Sequence, residues 1–346
     1  MDSQHFILGE EVASLEAEIA RILQTSFAVG CGSGSDALFL ALLALGIGPG
    51  DEVITTPFTF VATAGSIARV GAKPVFVDIE PETFNIDPTR IPAAITRHTR
   101  AIMPVHLFGL PANYSRMSQI SGEFGLPVIE DAAQAIGASY NHALVGGLGT
   151  MGCFSFFPSK NLGCAGDGGL VTTNDFALAE KIRLLRTHGS RKKYHYETLG
   201  INSRLDALQA AILRVKLLHL PEWTQARQKR AERYSKLFLE YGLADHVKLP
   251  SSPPNCVHVY NQFVIRCPQR DALREFLRQR GIPTEVYYPL PLHLQAAFAY
   301  LSYSSGQFPQ SEKASTQVIA LPIYPELTEE EQTTVVHSIS DYYRKK

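Results

Sequence analysis

The chain has 346 residues, 45% of them apolar and 19% charged, with a formal net charge of −1 at pH 7. That length exceeds what one hydrophobic core usually serves, so two unequal domains are expected, and the ordinary composition excludes a disordered chain. The near-neutral charge excludes any affinity for nucleic acid or anionic membrane that rests on bulk charge.

The N-terminus Met1-Asp2-Ser3-Gln4-His5 has no basic region ahead of an apolar one and does not read as a signal peptide. The longest apolar run, Ala37 to Ile47, falls short of the roughly 18 residues a bilayer span needs. A cytoplasmic protein is expected. From Ser35 to about Asp175, short apolar runs alternate with helical patterns. The strand candidates are Glu52–Thr55, Pro74–Val77, Ala101–His106, Pro127–Glu130, Cys153–Phe157 and Gly169–Thr172, several of them apolar throughout, as strands buried on both faces are. Helical stretches at Ala37–Leu45, Thr63–Val70 and Asn113–Phe124 separate them. This alternation predicts an α/β fold with helices on both faces of a mostly parallel sheet.

A long helical region, Arg204 to Tyr241, follows and is read as broken at Pro221. Its charged second half is a solvated face. After the turn-forming Pro250-Ser-Ser-Pro-Pro254 comes a smaller α+β block: strand Tyr260–Arg266, helix Arg270–Arg280, a strand near Pro283–Tyr288 and a last helix Glu329–Tyr343. The expected division is 1–240, with the long helix as bridge, and 241–346.

Three motifs carry chemistry. In Gly30-Cys-Gly-Ser-Gly-Ser-Asp-Ala37 a glycine-rich turn runs into an apolar helix. Bare N–H groups at such a helix start bind anions. A helix capped by Ser35 or Asp36 is the plainer reading, and a dinucleotide site fits less well, because the spacing is G-x-G-x-G. In Val128-Ile-Glu-Asp131-Ala-Ala-Gln134 an apolar strand ends in carboxylates, at the edge where open α/β sheets hold ligands. Asp131 there can pair with a cationic ring nitrogen, with Gln134 in reach of the same ligand; a cap for a following helix is the alternative. In Phe154-Ser155-Phe-Phe-Pro-Ser-Lys160-Asn-Leu-Gly163, followed by Gly166-Asp-Gly-Gly169, a lysine stands between an aromatic strand and a glycine-rich turn. Desolvation there would free its amine as a nucleophile, and Ser155 can offer a hydroxyl to an anion. A phosphate cradle, an acid for a pyridine nitrogen and a lysine for an aldehyde together describe a site for pyridoxal 5′-phosphate. The five cysteines form no C-x-x-C pair and no metal site is expected; they read as buried thiols.

Over nearly its whole length the sequence resembles the DegT/StrS sugar aminotransferases of the fold-type-I aspartate aminotransferase superfamily. The resemblance is carried by the glycine-rich stretch Phe27–Leu38, Asp51-Glu-Val-Ile-Thr-Thr-Pro-Phe-Thr-Phe60, His106-Leu-Phe-Gly-Leu-Pro111, Glu130-Asp-Ala-Ala-Gln134, Ser155–Gly163, Gly200-Ile-Asn-Ser-Arg-Leu-Asp206 and Leu321-Pro-Ile-Tyr-Pro325. It implies that Lys160 holds the cofactor as a Schiff base and moves the proton between donor and cofactor. It places Asp131 on the pyridine nitrogen, Gln134 near the ring hydroxyl or phosphate, Gly34, Ser35 and Ser155 on the phosphate, and Phe60 against the ring. Asn202 would reach the phosphate of a neighbouring subunit, giving a homodimer with shared sites. His188, Arg191, Tyr194, Tyr288 and His293 match loops near the nucleotide sugar.

The implied reaction moves an amino group from an amino acid, glutamate, to the keto group of a nucleotide-linked sugar by a ping-pong route. The Lys160 and Gly200–Asp206 segments are more similar to enzymes acting at C3 than at C4. Relatives that act as dehydratases carry histidine in place of the lysine, and Lys160 argues against that chemistry. A non-catalytic regulator that binds cofactor or sugar nucleotide is the reading from another class. Chains of this family carry roughly two dozen more residues before the stretch matching Phe6-Ile-Leu-Gly9. The resemblance therefore implies a shortened leader, where family members touch the active site and the dimer interface.

Overall fold

A computed structural model describes residue 4 and residues 6–344. Apart from Gln4, the stretch read for a signal peptide lies outside the described residues. Helix α1 (Glu10–Leu23) leads into β1 (Phe27–Cys31) and α2 (Gly34–Ala44). Then come β2 (Glu52–Thr55), α3 (Val61–Arg69), β3 (Lys73–Phe76), the short α4 (Ile91–Ala94), β4 (Thr99–Ile102), α5 (Tyr114–Phe124) and β5 (Ile129–Asp131). A small hairpin, β6 (Ser139–Tyr140) and β7 (Ala143–Leu144), precedes β8 (Met151–Ser155), β9 (Gly169–Thr173) and α6 (Phe176–Leu185).

These strands build the main sheet. One half has the order β1-β9-β8-β5 and the other β3-β2-β4. Parallel bridges Ile102↔Val128 and Val105↔Asp131 join β4 to β5. β5 runs parallel to β8, while β9 is antiparallel to both β8 and β1, so β9 alone runs against the rest. The expected mostly parallel sheet is present. Helix α2 buries Ala37, Leu38, Leu40, Ala41, Leu42 and Ala44, a spread around most of its circumference that an interior helix needs.

After α7 (Ala207–Leu217) and α8 (Leu220–Glu240) come β10 (Cys256–Val257), β11 (Phe263–Arg266), α9 (Arg270–Gln279), α10 (Pro309–Gln317), β12 (Val318–Leu321) and α11 (Glu329–Arg344). The interruption before α8 falls at Leu218–His219, and Pro221 sits in the first turn of α8. Proline is compatible there, because the first-turn N–H groups have no intrahelical partner anyway. Along α8, Arg227, Ala231, Tyr234 and Phe238 are buried at helical spacing. The last three join Phe263, Ile265, Ile319 and Val336 in a separate C-terminal core. Leu220, at the other end of α8, packs with α1 and α7.

The expected strand at Pro283–Tyr288 is absent: only Glu285 bridges, to Ala320. Pro283 and Pro289 lack the N–H groups that a ladder requires, and the segment runs as a loop. All five cysteines are free thiols, with Cys256 half-buried and the others buried. Among the described residues no helix is long and apolar enough to cross a membrane.

Candidate active site

A cavity of about 680 Å³ opens at the C-terminal ends of the parallel strands, where open α/β sheets place ligands. Five of the strands deliver residues there, at their ends or just beyond. The turn after β1 gives Ser33 and Gly34, the segment after β2 gives Thr59 and Phe60, and Val105 follows β4. Asp131 ends β5, Ser155 ends β8, and Lys160 lies on the loop beyond. Asp131, Gln134, Ser155 and Lys160 thus meet, with Ser35 and Phe60, in one cavity.

The residue that caps α2 is Ser33, whose Oγ accepts from the Asp36 N–H at 3.1 Å; Ser35 and Asp36, expected to cap it, lie inside the first turn. That shift leaves the N–H groups of Gly34 and Ser35 without a partner among the described residues, at the cavity wall. They form an anion-binding helix start. Gly34 is packed tightly: a Cβ there would stand 2.6 Å from the Ser155 Cβ. Gly169 lets β9 pass Ser33, whose carbonyl carbon would lie 2.3 Å from an added Cβ. Ser155 Oγ also accepts from the Phe157 N–H, at 3.3 Å.

Asp131 is buried, only 5% exposed. Its Oδ2 accepts from Thr63 Oγ1 at 2.7 Å and its Oδ1 from the Ala133 N–H at 3.2 Å. Burial pushes the carboxyl up from its usual value, while the Thr63 and Ala133 bonds and the Lys160 charge act the other way. No helix follows Asp131 before the β6–β7 hairpin, so it caps none. The Lys160 amine is held below the usual lysine value by burial, with Asp131 opposing. A desolvated lysine of this kind keeps its nitrogen lone pair more readily. Gln134 is pinned, its Oε1 accepting from the Phe108 N–H at 2.6 Å and its Nε2 pointing to the Tyr288 hydroxyl at 3.4 Å. Phe60 is 56% exposed over the cavity, with Tyr288 at a ring distance of 6.3 Å. Burial raises the Tyr288 hydroxyl pKa, keeping it protonated.

The remaining sequence-predicted residues are elsewhere. His188, Arg191 and Tyr194 lie on an exposed loop outside the cavity of their own chain. Asn202 is exposed, bridges Thr187 through its backbone, and has no side-chain partner among the described residues. It does not cap the next helix: α7 begins at Ala207 with Asp206 at its N-cap. His293 is buried behind the cavity, its Nε2 3.1 Å from Glu312 and its ring against Phe308, so it does not face a ligand there. Thr59, Thr63, Glu285 and Tyr287 were not among the residues picked out by sequence, yet Thr59, Glu285 and Tyr287 line the cavity and Thr63 bonds Asp131. A second cavity of about 330 Å³, holding Lys248, Arg266 and Lys313, lies between the Pro81–Phe84 loop and the C-terminal block and contains none of the predicted residues.

The donor set suits pyridoxal 5′-phosphate: free N–H groups and a serine hydroxyl for the phosphate, a buried carboxylate for the ring nitrogen, and a desolvated lysine for the aldehyde. Known proteins agree. A "Pleiotropic regulatory protein" of Geobacillus stearothermophilus is 56% identical over 99% of this chain and 92% of its own length. A UDP-N-acetyl-3-dehydro-alpha-D-glucosamine 3-aminotransferase of Acidithiobacillus ferrooxidans is 47% identical over 96% of this chain and 88% of its own. The crystal structure of S. venezuelae DesV in complex with a ketimine intermediate superposes with a TM-score of 0.95 at 43% identity, covering 99% of this chain and 91% of that one. The family model for the DegT/DnrJ/EryC1/StrS aminotransferases matches residues 1–340, and the chain belongs to that family.

Proposed function

We propose that this pyridoxal-phosphate sugar aminotransferase takes the amino group of glutamate and passes it to the C3 keto group of a nucleotide-linked sugar. One observation carries the reading: Lys160 and Asp131, on loop and strand end, share a cavity with the free N–H groups of α2. Support for C3 comes from the 3-aminotransferase named among the relatives.

Lys160 would hold the cofactor covalently until the donor amine displaces it, and its freed amine would then take the proton from the donor Cα and return it on the cofactor side. Asp131 would pair with the ring nitrogen, and Gly34, Ser35 and Ser155 would hold the phosphate. Phe60 would cover one ring face and keep water from it. Gln134, fixed by Phe108 and Tyr288, orients the ring edge. The bound cofactor supplies an electron sink for the charge left when the donor Cα loses its proton. The amino group would enter on the donor, stay in the cavity while the keto acid leaves, and depart on the sugar, so the two half-reactions alternate in ping-pong order.

The polar groups of the substrates exceed what this cavity offers. Its lining carries Asp131, Asp167 and Glu285 but a single cation, Lys160. The exposed loop with His188, Arg191 and Tyr194 supplies cations and an aromatic to the partner subunit's site in a homodimer, and Asn202 reaches that subunit's phosphate. The cytoplasm, where nucleotide sugars are at hand, is the compartment this reading implies.

The name of the Geobacillus relative favours the regulatory reading. An absorbance spectrum separates the two. Added glutamate should convert the visible band of lysine-bound cofactor into the near-ultraviolet band of its aminated form, and a 3-keto nucleotide sugar should return it. A 4-keto sugar should not. A spectrum unmoved by any amino-acid donor would overturn the enzymatic reading.

A further inference from the structure

Thr63 lies in the first turn of α3, just after Phe60, and is fully buried. Its Oγ1 stands 2.7 Å from Asp131 Oδ2 and 3.0 Å from Thr59 Oγ1. An ionised carboxylate only accepts hydrogen bonds, so Thr63 must give its one proton to Asp131. The Thr59 hydroxyl must then donate to Thr63. The direction of the chain is thereby fixed: Thr59 to Thr63 to Asp131. Thr59 is itself 3% exposed and lines the cavity.

We infer that Thr63 is a positioning residue for the reaction: with Thr59 behind it, it holds the Asp131 carboxylate as an oriented anion facing the cofactor cavity. This rests on the reading of Asp131 as the partner of the pyridine nitrogen. Three facts support it. The two oxygens of Asp131 are held by different elements, Oδ2 by α3 and Oδ1 by the Ala133 N–H, which fixes the plane of the carboxylate. Burial works against the anion, and the Thr63 bond is the largest influence opposing it. A hydrogen bond polarised by a second one behind it is stronger than the same bond alone. The same first turn of α3 also carries Phe60 at its N-cap. One rigid element therefore sets both the ring-covering side chain and the orientation of the acid.

Other titratable groups around Asp131 are Lys160, His106, Tyr288 and Cys153. His106 is engaged elsewhere, with Nε2 3.0 Å from Glu130 and Nδ1 accepting from the Ala112 N–H. Its own backbone N–H bonds the Asp131 carbonyl. None of these groups donates to the Asp131 carboxylate, so Thr63 has no stand-in among the described side chains.

The test uses Thr63→Val, which keeps the shape and removes the donor, with Thr63→Ser as rescue and Thr59→Val as a milder break. In cofactor-free protein labelled with carbon-13 at the aspartate carboxyls, Asp131→Asn identifies the resonance. Losing a hydrogen bond to a charged group should raise the Asp131 midpoint by about one to two pH units in Thr63→Val. Thr59→Val should raise it less, and Thr63→Ser should restore it. In the loaded enzyme, kcat should fall by roughly tenfold or more while KM for the donor changes little, since binding contacts are kept. An unmoved midpoint in Thr63→Val, or a serine that fails to restore it, would overturn the relay. Should Thr63→Val fail to fold, Thr59→Val carries the same test. Undiminished turnover in Asp131→Asn would overturn the reading of Asp131 itself, whatever Thr63 does to the midpoint.

Discussion

Gly34 and Ser155 touch across the sheet edge so closely that a single methyl group at position 34 would stand 2.6 Å from the Ser155 Cβ. The two come from separate parts of the chain, one starting α2 and the other ending β8. They are also the two sides of the proposed phosphate cradle. Gly34→Ala should therefore force the sides apart, with overpacking costing about 1–3 kcal/mol. The expected result is a lower melting temperature and a weaker dissociation constant for pyridoxal phosphate, measured by fluorescence titration. An alanine variant that binds cofactor like the wild type would show that the cradle lies elsewhere.

Lys160→Ala should spare the fold, because the amine bonds no partner among the described residues and burial already works against its charge. The visible band of lysine-bound cofactor should vanish, and transamination with glutamate should fall by several orders of magnitude, as expected when a nucleophile is removed. Cofactor should still associate, weakly, through Asp131 and the start of α2. A variant that kept the wild-type band and near-normal turnover would remove Lys160 from the mechanism.

His258 sets a limit on acid stability. It is buried, stacked on Tyr260 at 3.9 Å, and its Nδ1 accepts from the Tyr260 N–H. Burial lowers its pKa from 6.5 to about 3. The unfolded chain thus binds a proton below pH 6.5 that the folded chain refuses until about pH 3. Folding stability should rise with pH across that window and be lost as pH falls through it, by up to about 1.4 kcal/mol per pH unit. His258→Asn offers an acceptor near Nδ1 and cannot titrate. Denaturant melts from pH 4 to pH 7 should show a flatter acid limb in this variant. Parallel limbs for variant and wild type would assign acid sensitivity to other groups.

Much of this architecture is legible in the sequence because it rests on local signals. Strand β2 stands at Glu52–Thr55 as read, and α5 ends at Phe124 as read and starts one residue later than expected. That Asp131, Ser155 and Lys160 stand at one cavity is legible because each ends or follows an apolar strand whose end is fixed by the sheet. What escaped depends on partners distant in the chain. Thr63 acts on a residue 68 positions away, and no local pattern announces that. Strand β1, Phe27–Cys31, merges into the glycine-rich motif and was absorbed by it. Ser33 caps α2 where Ser35 or Asp36 was expected, a distinction the sequence hides because Ser33, Ser35 and Asp36 fall within four positions and offer equivalent local choices. His293 looked like a ligand-facing histidine, but Glu312 and Phe308 claim it from α10 and its approach.

Asn202 provides the strongest test of a shared site. The simple explanation, a helix cap, fails because Asp206 occupies that position and α7 begins only at Ala207. Ser203 beside it is committed inward, accepting from the Gly32 N–H at 2.9 Å and donating to Asp36 at 2.9 Å. Asn202 is left exposed next to the glycine-rich turn, with no side-chain partner among the described residues. A polar side chain held there by a bridged backbone suits a contact made across a two-fold interface, where each contact occurs twice. Asn202→Asp would then set a negative charge against the neighbour's phosphate and abolish activity, as would Lys160→Ala. Mixed after subunit exchange, the two inactive proteins form heterodimers in which one site has both Lys160 and Asn202 and the other has neither. With equal mixing and random exchange, half of the dimers are hybrids with one intact site in two, so about a quarter of wild-type activity should return. Exchange can be verified with differently tagged chains. Exchange without any recovery would mean that each subunit builds its site alone.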